Sequence, residues 1–352
     1  MNIRVDKKRW YFACLNGIFL VLLLICGLVF FRISGTLDWV QTAKRWRGDS
    51  EMRFTQIACY LPVNDPKTQD DIRVFRDTLD RKLLEASLEA EEGRRLYVDA
   101  YSGSARLQVT GQHGSAEVTA IGVGGDFFQF HPLTLLSGGY IAEGDLMQDR
   151  VVLDETLAWQ LFGSSDVAGM SVTIGGKPCY VAGVVRRETD FASRKAYLDG
   201  PGLFLSYSAF HDLTKSGITC YEIVLPDMIS GFGRELVRDN FDTGFGDLVE
   251  NSSRYSAKSL FRVVGDYGLR SMRNNGVIYP YWENAVRLTE DILALLLVLM
   301  IIFALSPAIT GGYFLIKFFI SMYRRLKQKI PDSYHNFLEQ KRERNYAQKG
   351  EE

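Results

Sequence analysis

Two long apolar runs constrain this chain more than any other feature of its sequence. Residues 10–31 and 292–316 are stretches of 22 and 25 residues without one charged side chain. At a rise of about 1.5 Å per helical residue, each run can cross a hydrocarbon layer about 30 Å thick. The first run is too long for a typical signal peptide, and no small-residue cleavage site follows it. The sequence therefore predicts transmembrane helices at residues 10–31 and 292–316.

Basic residues beside the two runs predict the orientation. Lys and Arg are enriched at the cytoplasmic ends of membrane helices. They cluster before the first run and after the second, whereas a weaker cluster at Lys44, Arg45 and Arg47 lies on the other side of the first run. Both termini are therefore expected in the cytoplasm, as a short N-terminus (residues 1–9) and a basic tail (residues 317–352). Residues of about 33–290 are expected outside the cytoplasm, so the chain is predicted to pass the cell membrane twice.

The charge of the intervening segment excludes one class of partner. Residues 34–290 hold 27 Lys and Arg against 35 Asp and Glu, a net charge of −8. Nucleic-acid binding requires clustered Lys and Arg that displace counterions from phosphates. An acidic exterior domain therefore argues against a nucleic-acid partner, while the basic flanks suit the anionic surface of a membrane.

Residues capable of catalysis or metal binding do not form a known pattern. None of the four histidines has a metal-ligand spacing, and the chain contains no nucleophile elbow, no S-x-x-K pair and no Walker A loop. Cys59, Cys179 and Cys220 fall in the exterior segment, where either one disulfide or three buried thiols would fit. The sequence therefore predicts no catalytic residue, no cofactor and no metal, and a protein that is not an enzyme.

The order of predicted elements indicates an α+β exterior domain over residues 45–250. A strand at residues 52–61 precedes a helix that is predicted to open at Asp65-Pro66 and to bury Ile72, Phe75 and Leu79. A β-rich insertion follows at about 125–215, with a short helix that Gly163 ends and a hairpin at residues 171–185. A second strand and helix then return, and residues 251–290 are predicted to form a juxtamembrane stalk.

Small residues recur every four positions in the second apolar run, at Ala304, Ala308 and Gly312. This spacing places three small side chains on one helix face, through which membrane helices approach each other closely. Pro307 removes one backbone hydrogen bond and is expected to kink the helix. The sequence therefore predicts a helix-packing site at Ala304, Ala308 and Gly312.

A series of short motifs in the middle of the exterior segment resembles a known family. In order, these are VGGDFF at residues 123–128, GG at 138–139, VVL at 151–153, TLAWQLFG at 156–163, VTI at 172–174 and YVAGVV at 180–185. They resemble the MacB-like periplasmic core domain of ABC-transporter permeases of the MacB/FtsX type. The resemblance implies a porter-like α+β part that is split by the β-rich insertion and flanked by two transmembrane helices.

The resemblance also implies a function. The chain is expected to be a membrane-anchored subunit or truncated permease of an ABC-transporter-like assembly, because the family's C-terminal permease helices have no counterpart after residue 316. Its exterior domain would relay or present a substrate, and its partners would be permease and ATPase subunits or further copies of itself. The alternative is a sensor or accessory module that binds an extracytoplasmic ligand or protein and has no transport role.

Overall fold

The computed structural model describes residues 7–90, 95–197, 202–270 and 276–349. It divides into two compact units. The first, here the membrane unit, comprises Met1–Phe30 and Leu296–Glu352, and the second, here the ectodomain, is Phe31–Leu295.

The described residues form ten strands and ten α-helices, together with three short 3-10 helices at Asp38–Gln41, Asn251–Ser253 and Tyr267–Leu269. The strands are β1 Phe54–Tyr60, β2 Val98–Gly111, β3 Gly114–Gly125, β4 Thr134–Gly138, β5 Arg150–Asp154, β6 Ser171–Ile174, β7 Lys177–Arg186, β8 Gly202–Ser206, β9 Cys220–Pro226 and β10 Asp247–Glu250. The helices are α1 Lys7–Ser34, α2 Thr42–Arg47, α3 Gln69–Glu85, α4 Phe127–Phe130, α5 Glu155–Phe162, α6 Phe191–Ala196, α7 Tyr207–Thr214, α8 Phe232–Asn240, α9 Ala257–Asp266 and α10 Tyr281–Lys349.

Two helices are long and apolar enough to cross a membrane. They contain the segments Trp10–Ser34 and Tyr281–Leu326, and 0% and 11% of their most apolar windows are buried. A core helix of a soluble protein would bury most of such a window. The prediction of two apolar helices flanking the domain is confirmed, and this arrangement is consistent with a two-pass membrane protein.

One mixed sheet organises the ectodomain. Its strands follow the order β10-β1-β9-β2-β3-β8-β5-β7-β4, with β6 paired to both β2 and β7. The strands of the predicted insertion, from β4 to β8, continue this sheet, and β8 pairs in parallel with β3. The mixed α/β fold class is confirmed.

The sheet has a hydrophobic core on each of its two faces, and the side chains of β1 show this by pointing alternately into one core and the other. Ile57 and Cys59 lie in the core that also contains α3, α5, α7 and α8, whereas Ala58 and Tyr60 lie in the other core. Successive side chains of a strand point to opposite faces. The second core draws on Trp39, close behind α1, and on Trp282, in the first turn of α10. Residues from both ends of the ectodomain therefore meet on one face of the sheet.

Local predictions from the sequence were largely confirmed, with one shifted boundary. The 171–185 hairpin is present as β6 and β7, and Gly163 ends α5 in a left-handed conformation with φ of 73°. The predicted helix start at Asp65-Pro66 was wrong: α3 begins at Gln69, because Thr68 and Asp71 form a reciprocal capping box there. Side-chain caps satisfy backbone N–H groups, which a proline at the helix start cannot do.

Two glycines of the VGGDFF motif have steric reasons for their identity. A Cβ on Gly124 would overlap the ring of Tyr101 in the neighbouring strand. Gly125 has φ of 64°, and a Cβ there would overlap the backbone carbonyl of Asp99. Glycine is the residue that tolerates both close approach and positive φ. The motif therefore marks the place where β3 leaves the sheet for α4.

The compact ectodomain, Phe31–Leu295, is longer at both ends than the exterior domain predicted at residues 45–250. The boundaries at 45 and 250 remain a prediction for the family domain within it. Leu37, Trp39 and Val40 are buried before residue 45, and Ala285, Val286 and Leu293 are buried after residue 250. The described part of residues 251–290, expected as a stalk, packs into the same unit.

Candidate functional site

The residues just before the second apolar run dock on several parts of the ectodomain. We call residues 279–291 the anchor segment. Trp282, Val286 and Leu293 are buried at spacings of four and seven, so they share one face of α10. Glu283 and Glu290, seven residues apart, are also buried and share a second face. Two carboxylates buried on one helix require cationic partners.

Arg254 supplies the first cationic partner. Its side chain is 5% exposed, and its guanidinium bonds both oxygens of Glu283 at 2.6 and 2.7 Å and Glu290 at 2.6 and 3.3 Å. Asn251 accepts a further hydrogen bond from it at 3.0 Å. Tyr60 of β1 donates its hydroxyl to Glu283 at 2.9 Å. The planar fork of arginine suits bidentate pairing, so one side chain joins two turns of the anchor segment.

Arg270 extends this ionic cluster to the last residue before the second apolar run. It pairs with Glu290 and, at 2.9 Å, with Asp291, the last residue before the apolar run. Burial alone would raise the pKa of Glu290, but Arg254 and Arg270 outweigh burial and hold this pKa below its ordinary value. Burial lowers the pKa of Arg254, but Glu283 and Glu290 raise it by more. The pKa of Arg254 is therefore well above its ordinary value. Both shifts favour the charged forms, of Arg254 and of Glu290.

Aromatic side chains hold the other face of the anchor segment. Trp282 lies 4.6 Å from His131 and 5.7 Å from Phe127, measured between ring centroids. His131 is 1% exposed, and its Nε2 lies 2.6 Å from a carboxylate oxygen of Glu222 in β9. Trp39 approaches the same imidazole at 6.4 Å. Residues from α4, the sheet, the segment behind α1 and the start of α10 thus meet around His131.

Two tyrosines complete the docking of the anchor segment. The ring of Tyr281 stacks on that of Tyr197, with centroids 4.1 Å apart. The hydroxyl of Tyr281 donates a hydrogen bond to Glu188 at 3.2 Å, and the hydroxyl of Tyr197 donates one to the same carboxylate at 2.6 Å. Burial raises the pKa of Glu188. Tyr279 donates to Asp247 of β10. Within five positions, the anchor segment therefore contacts β1, β10, α4 and the segment between β7 and α6.

A cavity of about 260 Å³ lies beside these contacts. Residues of the anchor segment and of strands β2, β3, β8 and β9 line it, and Asp154 and Arg187 contribute a charged pair joined at 2.7 Å. A cavity of about 150 Å³ accommodates one benzene ring in another protein. This cavity is therefore large enough for a small organic molecule with one or two rings.

The described contacts of the site are ion pairs, hydrogen bonds and ring contacts. Among the residues that the structure describes, no group of three or more His, Cys, Asp or Glu side chains is placed to hold a metal ion. Cys59, Cys179 and Cys220, for which a disulfide was left open, are free and buried, and burial raises the pKa of each thiol. Thiols with raised pKa are poor nucleophiles.

The predicted packing residues lie in the membrane unit, on α10. Ala308 is exposed, Ala304 and Gly312 are half-buried, and a Cβ added to Gly312 would meet no atom within 4 Å. Phe303, by contrast, contacts Phe19 of α1 at 5.8 Å. By helical rotation, the small residues lie on roughly the opposite side of α10 from Phe303. The described contacts of α1 therefore lie on a different side of α10 from Ala308 and Gly312.

Asn16 is a contact residue that the sequence analysis missed. Its side chain accepts a hydrogen bond from Ser306 at 2.9 Å and donates one to Thr310 at 3.2 Å. Hydrogen bonds between membrane helices are a recognised source of association. A lone asparagine in an otherwise apolar run was the available signal. The carboxylates of the anchor segment were missed as well, although their spacing of seven indicated one helix face.

Comparison with known proteins agrees with the motif order. A family model of the MacB-like periplasmic core domain matches residues 60–230. No curated protein matches the sequence. Solved structures with a similar fold include the periplasmic region of MacB from Actinobacillus actinomycetemcomitans, at 15% identity over 62% of this chain and 94% of that chain, with a TM-score of 0.40.

Two further solved structures are similar at lower scores. The extracellular domain of YknZ, a noncanonic ABC-type transporter from Gram-positive bacteria, is 13% identical over 56% of this chain and 100% of that chain, with a TM-score of 0.37. A domain of a permease-type protein from Porphyromonas gingivalis is 11% identical over 56% and 89% of the two chains, with a TM-score of 0.33. The match is therefore one of a segment: residues 60–230 are similar to the MacB-like periplasmic core domain.

Proposed function

We propose that the chain is a membrane-anchored subunit or truncated permease of an ABC-transporter-like assembly, whose ectodomain relays movement or presents a substrate. The docking of the anchor segment is the observation that supports this proposal. Its first turns hold buried ion pairs to Arg254 and buried aromatic contacts to His131. Packed interiors transmit displacement and do not deform continuously. A shift of the start of α10 would therefore move the ectodomain core.

A relay needs a driving subunit, and the proposed partners are permease and ATPase subunits or further copies of this chain. The family is one of permease-type domains in ABC transporters. The small-residue face of α10 offers a place for such a partner, because α1 packs on another side. We therefore propose that Ala304, Ala308 and Gly312 form a contact between subunits.

Enlarging the small-residue face is expected to abolish association. Ala308→Leu and Gly312→Leu keep the helix apolar, so membrane insertion should survive. Close approach should be lost, because helices in lipid gain little from hydrophobicity and depend on tight packing. The measurement is co-purification, in mild detergent, of partner subunits and of differently tagged copies of the chain. We expect recovery of the partner to fall several-fold.

The matched control for this experiment is Ile302→Phe. It also enlarges an apolar side chain, which is 49% exposed. By helical rotation it lies about 120° from Ala308. Equal recovery of partners with all three substitutions would contradict the proposed contact. Loss with Ile302→Phe as well would indicate a general effect of bulk on α10.

The proposed orientation places both termini in the cytoplasm and the ectodomain outside it. An impermeant thiol reagent applied to intact cells should label Ser115→Cys, whose position is exposed at the hairpin of β2 and β3. It should not label Ser333→Cys until the cells are lysed. The three native ectodomain cysteines are at most 7% exposed, so the unmodified chain should react weakly. Labelling at position 333 in intact cells would contradict this orientation.

A sensor or accessory module without transport is the second candidate function, and the cavity beside the anchor segment favours it. A ligand in this cavity would touch Tyr281 and Trp282 and so meet the start of α10 directly. Native mass spectrometry of the purified chain tests this candidate. A retained small molecule, together with failure of the association experiment, would support the sensor, whereas partners without a ligand would support the assembly.

A further inference from the structure

Helix α9 carries more apolar surface than the ectodomain covers. Leu260 and Val263 are buried, at 0% and 5% exposure, and attach the helix to the ectodomain. Phe261 and Val264 are 51% and 43% exposed. At about 100° per residue, Val264 lies about 40° from Leu260 and Phe261 about 100° from it. The apolar arc of α9 therefore continues around the helix, past the buried strip and into solvent.

The 3-10 helix that follows α9 continues this exposed apolar surface. Tyr267 and Leu269 are 68% and 79% exposed. The opposite side of α9 is charged, because Lys258 and Arg262 lie about 160° and 200° from Leu260. A helix with an aromatic and aliphatic arc opposite basic residues is typical of proteins that lie in the membrane interface.

Two arginines fix this surface beside the start of the second apolar run. Arg254, just before α9, pairs with Glu290, and Arg270, just after Leu269, pairs with Glu290 and Asp291. Asp291 is the residue immediately before that run, which begins at Ile292. Both ends of the α9 segment are thus held beside the residues that immediately precede the second apolar run.

We propose that Phe261, Val264, Tyr267 and Leu269 insert into the bilayer surface on the side of the ectodomain. Aromatic residues favour this interfacial zone, and the apolar arc would be removed from water there. On the charged side, Lys258 and Arg262 lie about 60° and 100° beyond Phe261 around the helix, and long lysine and arginine side chains at such positions reach lipid phosphates. The occupant is a phospholipid surface, because these residues flank the point where the chain enters the bilayer. The inference is independent of transport and of the small-residue face.

Spin labelling of the full chain in phosphatidylcholine–phosphatidylglycerol liposomes tests the proposal. Phe261→Cys and Leu269→Cys, each carrying a nitroxide, should collide more with lipid-soluble oxygen than with a water-soluble nickel chelate. The ratio of the two collision rates should be several-fold higher than for Val74→Cys. Val74 is 65% exposed on α3, whose buried residues lie in the core on the opposite face of the sheet from Trp282.

Two further measurements make each outcome decisive. Lys258→Cys, on the charged side of α9, should report more nickel contact than the two apolar positions, and the unmodified chain gives the background of the native cysteines. Nickel contact at positions 261 and 269 equal to that at position 74 would overturn the proposal, since the surface would then face water. Low contact with both reagents would overturn it as well: dipolar broadening between labels would then identify a second copy, and its absence a protein partner.

Discussion

Replacing Arg254 with methionine is expected to lower the free energy of unfolding of the ectodomain by about 3–5 kcal/mol, because it leaves buried carboxylates without their partner. Glu283 would retain Tyr60, and Glu290 would retain Arg270. For an ectodomain of this size, such a loss lowers the melting temperature by about 6–20 °C. The measurement is thermal unfolding of the full chain in detergent, monitored by circular dichroism.

Arg238→Met provides the matched control, because Arg238 is 59% exposed and pairs with an exposed Asp239. Exposed ion pairs contribute at most about 1 kcal/mol. Adding Glu283→Gln and Glu290→Gln to Arg254→Met should recover part of the loss, since the unpaired charges are then absent. Equal melting temperatures for Arg254→Met and Arg238→Met would contradict the role given to this cluster.

Acid should narrow the difference between the wild type and Arg254→Met. The pKa of Glu290 is held below its ordinary 4.5 in the wild type. Its contribution to stability is therefore fully present above pH 4.5 and is lost as the pH falls through the folded-state pKa. In the variant, Glu290 has lost Arg254 and only Arg270 opposes the effect of burial, so the pKa of Glu290 rises and protonation relieves the penalty of its buried charge as the pH falls. Melting temperatures at pH 7 and pH 4 check both signs.

Leu161→Ala is expected to cost about 2–5 kcal/mol, which is the usual loss for a fully buried leucine. Leu161 is 0% exposed at the end of α5, and its side chain packs where a Cβ on Gly111 of β2 would lie. The carbonyl of Leu161 also accepts the backbone N–H of His113 at 2.9 Å. Helix α5 therefore packs against the β2–β3 hairpin, and truncation of the Leu161 side chain leaves a cavity between the helix and the hairpin.

Leu84→Ala is the control, since Leu84 is 65% exposed near the end of α3. We expect it to change stability by less than about 0.5 kcal/mol. Urea unfolding of a fragment covering residues 31–295 suits this comparison, because it contains the whole ectodomain. If Leu161→Ala unfolds at the same urea concentration as Leu84→Ala, α5 does not contribute to the core.

Sequence periodicity predicted those helices and strands whose structure depends mainly on residues close together in sequence. The α3 residues Ile72, Phe75 and Leu79 are all buried, as their spacing predicted. Periodicity does not reveal β2, which is one long strand from Val98 to Gly111. Gly103 interrupts the apolar pattern there because the carbonyl of Gly217 approaches it closely. That close approach is a tertiary contact and leaves no local signal.

The anchor segment shows a second limit of sequence reasoning. The apolar run at 292–316 was evident, and so was the charge before it. Glu283 and Glu290 are 29 and 36 residues from Arg254 in sequence, and no short-range rule joins them. Charged residues before a membrane helix are usually solvated. This cluster is buried because residues distant in sequence pack around it in the second core, and sequence spacing does not reveal that packing.

The meeting of Trp39 and Trp282 around His131 has a consequence for the order in which the chain assembles. Once the ectodomain has folded, the residues behind α1 and those that open α10 are held within one core. One chain already links the two apolar helices, and holding their flanking residues in one core raises the effective concentration at which they pair. Weak contacts, such as those of Asn16 with Ser306 and Thr310, suffice under that condition. We therefore expect pairing of the two helices to weaken when the ectodomain unfolds.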